Sequence, residues 1–235
     1  MKNVLITGGA RGIGKELIEV YYANNYNVFS VVRKQEDAEE LNKEFKNNFT
    51  PIVTDLTDDK CINIIKNTLS KTVNHLDLLI NNAGIPGNAY KIEDVTSIEM
   101  KSLFDIHCIA IIRSTQATLD FLKKSKKPKI VNITSRLGSL SAMASGEFED
   151  RNFSYSYRIA KASQNMLSIC LKEELKSYNI DVISIHPGKV KTQSGSSDAN
   201  SSAYESARKI FKWIEGDNIN KKGTFTEPYE RDWLW

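Results

Sequence analysis

The chain has 235 residues, and its 40% hydrophobic and 26% charged residues are an ordinary balance for a globular protein. The 32 Lys and Arg residues against 29 Asp and Glu residues leave a net charge of +3, so we expect no nucleic-acid partner. No apolar run approaches the roughly 18 residues of a membrane span, so we expect no membrane association. The three cysteines form no CxxC pair and the three histidines have no metal-ligand spacing, which predicts free thiols, a cytoplasmic protein and no bound metal.

Short apolar runs rich in β-branched residues alternate with longer helical patterns along the chain. The predicted strands are 2–7, 27–32, 50–53, 76–80, 129–134 and 181–186, and the predicted helices lie near 12–25, 36–47, 58–73, 97–124 and 155–178. This alternation predicts an α/β fold of the Rossmann type, a doubly wound parallel sheet flanked by helices in a single domain spanning 1–235. Ligands of such sheets bind beyond the carboxyl ends of the strands, so we expect functional residues just after each strand.

A glycine-rich turn, TGGARGIG, follows the first strand directly and leads into the first helix. Such a turn lets the backbone approach a pyrophosphate, while the helix N-terminus supplies N–H donors and the positive end of its dipole. The spacing is G-x-x-x-G-x-G instead of the G-x-G-x-x-G fingerprint, and taken alone the turn also fits a merely structural role. The predicted cofactor-binding residues of this turn are Thr7, Gly8, Gly9, Arg11, Gly12, Ile13 and Gly14.

The end of the second strand carries no acid that could hold the ribose 2′-hydroxyl of NAD(H). Arg33 stands there, and its guanidinium fork suits a 2′-phosphate. Arg11 in the glycine-rich turn is placed to approach the same group. We therefore favour NADP(H) as the cofactor, with the alternative that both arginines are solvated surface residues.

A candidate catalytic set combines Ser135, which follows the fifth predicted strand, with Tyr157 and Lys161 in the next helix. Residues four apart share a helix face, so the tyrosine and the lysine are neighbours. A nearby ammonium favours the phenolate, and roughly 3 units of depression would bring the tyrosine pKa from about 10 to about 7. Tyr157 could then protonate a carbonyl oxygen as hydride reaches the carbon, while Ser135 holds the same oxygen. An isolated YxxxK pattern would also fit an ordinary amphipathic helix.

Together these motifs resemble the short-chain dehydrogenase/reductase family over almost the whole chain. The resemblance implies that Ser135, Tyr157 and Lys161 form the catalytic triad. It also implies that an acid after the third strand holds the adenine, that the NNAG segment lies along the cofactor, and that the PGKVKT loop contacts the nicotinamide. The further cofactor contacts implied in this way are Asp55, Leu56, Asn82, Ala83, Gly84, Pro187, Gly188, Val190 and Thr192.

A narrower resemblance places the chain near the C-signal and sniffer-type carbonyl reductases, on the segments SRLGSLS and YSYRIAKAS and the final Trp235. That subgroup implies NADPH-dependent reduction of a small-molecule carbonyl, which would be a ketone, an aldehyde or a quinone. The helices at 97–124 and 155–178 resemble those that form the family's dimer interface, so we expect a homodimer or homotetramer. Because one branch of the subgroup is associated with signalling, the alternative is a cofactor-binding signalling or redox-sensing protein with weak or vestigial catalysis.

His107 stands where members of the family commonly carry an Asn that opens a small helix defect and holds a proton-relaying water. Because histidine both donates and accepts hydrogen bonds, we include His107 among the candidate catalytic residues. It could also charge near pH 6–7 and oppose Lys161. The alternative is a core histidine satisfied by backbone carbonyls.

Two segments are expected to border the substrate cleft. The stretch between Ser135 and Tyr157 is longer than usual in the family, and its extra part, within 138–154, is a candidate lid, partner surface or incidental loop. Residues 192–216 read as a Ser-rich substrate flap followed by a small amphipathic helix.

Overall fold

The computed structural model describes residues 1–149, 151–191, 199, 201–216 and 225–235. Within these residues, eight strands form one sheet: β1 Asn3–Thr7, β2 Asn27–Val32, β3 Phe49–Val53, β4 Leu78–Asn81, β5 Lys129–Ile133, β6 Asp181–Ile185, β7 Phe225–Glu227 and β8 Arg231–Asp232. Their order is β3-β2-β1-β4-β5-β6-β7-β8. Every neighbouring pair is parallel except β7 with β8. The predicted doubly wound α/β fold is confirmed.

The α-helices of the described residues flank this sheet. They are α1 Gly12–Ala23, α2 Gln35–Glu44, α3 Lys60–Thr72, α4 Ser97–Phe104, α5 Ala110–Leu122, α6 Leu140–Ala144, α7 Tyr155–Leu175 and α8 Ala203–Glu215. Successive side chains of a strand point to opposite faces, and helices cover both faces of the sheet, which explains why strands such as β1 are apolar on both faces at their centre. In β1, Val4 and Ile6 pack with α1 and α8, whereas Leu5 packs with α3 and α5 in the second core.

The single helix predicted over 97–124 is interrupted in the structure. A π-helical turn at Asp105–Ile109 separates α4 from α5, and His107 lies inside it. π-Helical turns often occur at functional sites because the extra residue redirects side chains. The prediction of one continuous helix is therefore wrong, and the chain has a helix defect here although His107 replaces the usual Asn.

The extra segment within 138–154 packs on the end of the chain, apart from residue 150, which lies outside the described residues. The Ser139 hydroxyl donates a hydrogen bond to the backbone oxygen of Leu234 at 2.5 Å. The carboxylate of Glu147 accepts two hydrogen bonds from the Arg231 guanidinium at 3.1 and 3.2 Å. The segment therefore forms one packed unit with β7, β8 and the residues that follow them.

The direction of strand order reverses between β1 and β4, which are neighbours in the centre of the sheet. A reversal of this kind opens a crevice beyond the carboxyl ends of the two strands, where ligands of doubly wound sheets bind. The glycine-rich turn follows β1, and the NNAG segment begins at the last residue of β4. The two predicted cofactor segments therefore meet at this crevice.

Candidate active site

The glycine-rich turn has a backbone that side chains would obstruct. Gly8 and Gly12 have φ of +72° and +57°, in the left-handed region that glycine adopts without strain. A Cβ on Gly8 would lie 2.8 Å from the Cα of Ala83, and one on Gly14 would lie 2.1 Å from the backbone oxygen of Gly8. The turn therefore requires glycine for its own packing. The absence of side chains also lets a bound group approach the backbone.

The N-terminus of α1 is suited to an anion. Arg11 stands at its N-cap position without a side-chain capping hydrogen bond, and the first turn contains no acidic residue. By contrast, α8 begins with a complete capping box between Ser202 and Glu205. The first N–H groups of α1 thus receive no side-chain cap, as a phosphate site requires. Of the remaining predicted residues of the turn, Gly9 is buried and Ile13 packs on the core.

Hydrogen bonds tie the end of β1 to the end of β4. The Thr7 hydroxyl accepts from the backbone N–H groups of Asn82 and Ala83 at 3.0 and 3.1 Å. The Asn82 amide in turn donates to the backbone oxygens of Thr7 and Gly8 at 3.0 and 3.2 Å. Four residues predicted to bind the cofactor therefore lie together at the crevice.

Asp55 lies beyond the end of β3 and is held as a carboxylate. Burial raises the pKa of Asp55, but the backbone N–H and hydroxyl of Thr57, at 2.9 and 2.7 Å, lower it. The positive charges of Arg33 and Arg113 add to this lowering, and the net pKa is below the ordinary value. Leu56 is buried, and its backbone oxygen accepts from Arg113 at 3.0 Å. Arg33 is itself exposed, and it lies near enough for its charge to act on Asp55.

Ser135 and Tyr157 lie together at the carboxyl end of β5. Ser135 caps a short 3₁₀ turn at Arg136–Gly138, where its hydroxyl accepts from the backbone N–H of Leu137 at 3.2 Å. Burial raises the pKa of Tyr157 to about 12, against a lowering by its hydrogen bond with Ser135. The expected depression toward 7 is therefore not produced by the surrounding side chains. Tyr157 carries its proton at neutral pH, as a proton donor must.

Lys161 is buried beside this pair. Its Nζ atom lies 5.6 Å from the centre of the Tyr157 ring and donates to the backbone oxygen of Ile133 at 3.0 Å and to Oε1 of Gln164 at 2.8 Å. Burial lowers the pKa of Lys161 to about 7. Gln164 is the residue of this cluster that the motifs missed; its position three residues after Lys161, on the same helix face, is the signal that could have found it.

The structure brings His107 against Tyr157. The two rings meet edge to face with their centres 5.5 Å apart, and Nε2 of His107 lies 2.9 Å from the backbone oxygen of Ile85. Burial, with the nearby charge of Lys161, lowers the pKa of His107 to about 3. Burial therefore opposes the alternative in which His107 charges near pH 6–7. Nδ1 of His107 has no hydrogen-bond partner among the residues that the structure describes.

The loop after β6 contains the remaining residues that were predicted to contact the cofactor. Gly188 has a φ of +86°, and the backbone oxygen of Pro187 accepts from the Ser206 hydroxyl of α8 at 2.6 Å. Val190 is buried. Thr192, the last predicted cofactor contact, lies outside the described residues.

A cavity of about 290 Å³ is lined by residues of this loop, of helix α8 and of the chain around β7 and β8. Its lining residues include Arg136, His186, Gly188, Lys189, Glu227 and Trp233, but neither Ser135 nor Tyr157. Trp213 and Trp233 are buried in the two clusters of core residues that they join, and the partly buried Trp235 packs against the cluster of Trp233. The three cysteines are free thiols, as predicted; Cys61 and Cys108 are buried, whereas Cys170 is exposed.

The described residues lack two other kinds of feature. No cluster of three or more His, Cys, Asp and Glu side chains there could hold a metal ion. No helix among those residues is both long and apolar enough to span a membrane.

The sequence model of a family described as short chain dehydrogenase matches residues 2–202. The chain belongs to this family of oxidoreductases. Within the short-chain dehydrogenases it is similar to C-signal from Myxococcus xanthus, with 33% identity over 160 residues that cover 68% of this chain and 93% of that protein. It is also similar to the NADPH-dependent 3-dehydrocapnine reductase of Ornithobacterium rhinotracheale, with 30% identity over 201 residues that cover 82% of this chain and 67% of that protein.

Solved structures of the family agree closely with the fold. The NADPH-bound carbonyl reductase from chicken fatty liver has a TM-score of 0.88 at 28% identity, covering 100% of this chain and 99% of its own. The carbonyl reductase Sniffer of D. melanogaster has a TM-score of 0.86 at 27% identity, with both chains covered completely. The resemblance to the C-signal and sniffer-type subgroup is therefore confirmed.

Proposed function

We propose that this chain is an NADPH-dependent reductase of a small-molecule ketone, aldehyde or quinone. The observation that carries the proposal is the cluster of Ser135, Tyr157 and Lys161 at the carboxyl end of β5. Its hydroxyl, phenol and ammonium groups are those that carbonyl reduction requires, and they lie beside the crevice of a nucleotide-binding fold.

The residues divide the chemistry between them. When bound, NADPH supplies the hydride that adds to the carbonyl carbon. Tyr157 transfers its hydroxyl proton to the carbonyl oxygen, so the C=O bond becomes the C–OH group of an alcohol. The Ser135 hydroxyl donates a hydrogen bond to the same oxygen, and the Lys161 ammonium stabilises the tyrosinate that remains.

The proposed cofactor site has three parts. The glycine-rich turn and the uncapped N-terminus of α1 receive the pyrophosphate, and Asp55 accepts from the adenine amino group. Arg33 and Arg11 bind the 2′-phosphate, which is the basis for NADPH over NADH. Two of the similar proteins carry NADPH in their names, which supports the same preference. The other residues proposed to line this site are Thr7, Leu56, Asn82, Ala83, Gly84, Pro187, Gly188, Val190 and Thr192.

His107 is proposed to take the place of the usual relay Asn. A neutral imidazole offers one donor and one acceptor, so with Nε2 directed at the oxygen of Ile85 its Nδ1 is available to a water that leads to Lys161. The low pKa of His107 keeps the ring neutral and removes repulsion from the ammonium.

The substrate site is proposed to be built within a single domain. The extra segment within 138–154, anchored by the end of the chain, forms one wall, and the Ser-rich stretch before α8, most of which lies outside the described residues, forms the flap. The flap excludes water during hydride transfer.

We propose a homodimer, with a homotetramer as the larger alternative. The helices α4, α5 and α7 carry apolar side chains that are exposed in the single chain, which an interface would cover. These residues are Phe104, Ile112, Ile159 and Met166.

The test is NADPH consumption by the purified protein with a panel of ketones, aldehydes and quinones, with Tyr157→Phe as the control. Turnover by the wild type and its loss in the variant support the proposal. Tight NADPH binding with no turnover of any substrate contradicts it, and favours the cofactor-binding signalling or redox-sensing alternative.

A further inference from the structure

We propose that Gln164 is a positioning residue, whose side-chain amide fixes the Lys161 ammonium and supports its positive charge inside the protein. The inference rests on the proposed reductase function. None of the motifs that point to the cofactor or the triad includes this residue.

The two side chains form a closed hydrogen-bonded group with the end of β5. Lys161 Nζ donates to Gln164 Oε1 at 2.8 Å and to the backbone oxygen of Ile133 at 3.0 Å. The Gln164 side-chain nitrogen donates to the same backbone oxygen at 3.1 Å. Lys161 and Gln164 are 5% and 1% exposed, so solvent does not replace these contacts.

The amide matters because this ammonium has only neutral acceptors within the described residues. No carboxylate there forms a salt bridge with Lys161, and burial disfavours the charged form. Hydrogen bonds to a charged group are stronger than those between neutral groups. Two of the three ammonium N–H groups are used by Gln164 and Ile133, which leaves the third for a cofactor hydroxyl or the tyrosinate.

Other residues of α7 already fix the end of β5 without Gln164. Asn165 accepts from the Thr134 hydroxyl at 2.7 Å and donates to the backbone oxygen of Gly138 at 3.1 Å. Ser168 accepts from the Asn132 amide at 2.9 Å. Gln164 also donates to the end of β5, at the oxygen of Ile133, but among these residues it is the one whose side chain accepts from Lys161, which points to a role at the ammonium.

The first readout is the titration of Lys161, which needs neither cofactor nor substrate. NMR of protein with ¹³C-labelled lysine gives its midpoint, and the signal is identified by its loss in Lys161→Arg. Gln164→Met keeps the length of the side chain but removes the acceptor, so we expect the midpoint to fall by about one pH unit. Gln164→Glu places a carboxylate there, so we expect a rise of at least about one pH unit. Ser168→Ala, which disturbs the same buried face without touching Lys161, is expected to leave the midpoint unmoved.

The second readout is the pH profile of kcat/KM for carbonyl reduction. In each variant, the alkaline limb of this profile should shift in the direction in which the Lys161 midpoint of that variant shifts. An unchanged Lys161 midpoint in Gln164→Met, or a parallel loss of activity at every pH, overturns the inference. Should Gln164→Met fail to fold, Gln164→Glu decides, because an unmoved midpoint there also overturns it. If the wild type reduces no carbonyl, the proposed function fails while the NMR midpoints still decide the role of Gln164.

Discussion

The imidazole of His107 fills the space that any side chain on Gly84 would need. A Cβ on Gly84 would lie 2.5 Å from Cε1 and 3.1 Å from Nδ1 of His107. The ring has little room to withdraw, because it is buried with its edge against Tyr157 and with Nε2 at the oxygen of Ile85. The position of the His107 ring in the π-helical turn therefore requires glycine at position 84 of the NNAG segment.

Gly84→Ala should destabilise the protein by about 1–3 kcal/mol, the usual cost of overpacking a well-filled site. His107→Asn provides a smaller partner, so the double variant should recover about 1 kcal/mol relative to the sum of the single effects. Urea unfolding of the wild type, both single variants and the double variant measures this coupling. Strictly additive effects would show that the two residues do not constrain each other.

His107→Asn should retain or raise reductase activity, because the amide offers one donor and one acceptor group as a neutral imidazole does. His107→Phe preserves an aromatic ring against Tyr157 but removes both functions, so it should lose activity. Steady-state kinetics with circular dichroism as a folding control compares the two. A complete loss in the correctly folded Asn variant argues against a relay role.

Arg33→Asp should reverse the cofactor preference. The exposed guanidinium is replaced by an acid at the end of β2, which repels a 2′-phosphate and accepts from a 2′-hydroxyl. We expect the Kd for NADPH to rise at least about tenfold, with little loss for NADH. Fluorescence titration with both cofactors measures the change, and Lys34→Asp is the matched control. Equal weakening of both cofactors would point to a general charge effect.

His186 should make the protein acid-sensitive. Burial, with the charges of Arg136, Lys161 and other nearby cations, lowers the pKa of His186 to about 3, against about 6.5 when unfolded. Between these values the unfolded chain binds more protons, so stability falls as pH drops from about 6.5 toward 3. His186→Leu should therefore lose less stability between pH 7 and pH 4.5, by about 2 kcal/mol, as measured by urea unfolding. Equal losses of stability in the variant and the wild type would refute the assignment.

The sequence predicted the parts of the fold that depend on local patterns. Short apolar runs such as Val4–Leu5–Ile6 of β1 predict buried parallel strands, and the glycines of TGGARGIG predict a turn that the structure reproduces. The first six strands, β1 to β6, lie near their predicted positions for this reason. Strands β7 and β8 have only three and two residues, too short for any periodicity, and they form because the segment within 138–154 and Trp233 pack on them.

The candidate site was predictable as a set of residues but not in its electrostatics. Spacing placed Tyr157 beside Lys161, but only the structure shows that burial shifts the pKa values of both residues. The role of Gln164 depends on its contact with the end of β5, which no local pattern encodes. For His107, the position was evident from the sequence, while its neutrality follows from burial within the π-helical turn.

The most direct test of the central claim is a paired measurement on the wild type and Tyr157→Phe. Single-turnover oxidation of bound NADPH by a reactive carbonyl reports the reduction step, and fluorescence titration reports cofactor affinity. Removing a positioned proton donor should slow reduction by about 10²–10⁴-fold while NADPH binding stays nearly unchanged. Equal reduction rates in the two proteins would contradict the assignment of Tyr157 as the acid, and with it the proposed mechanism.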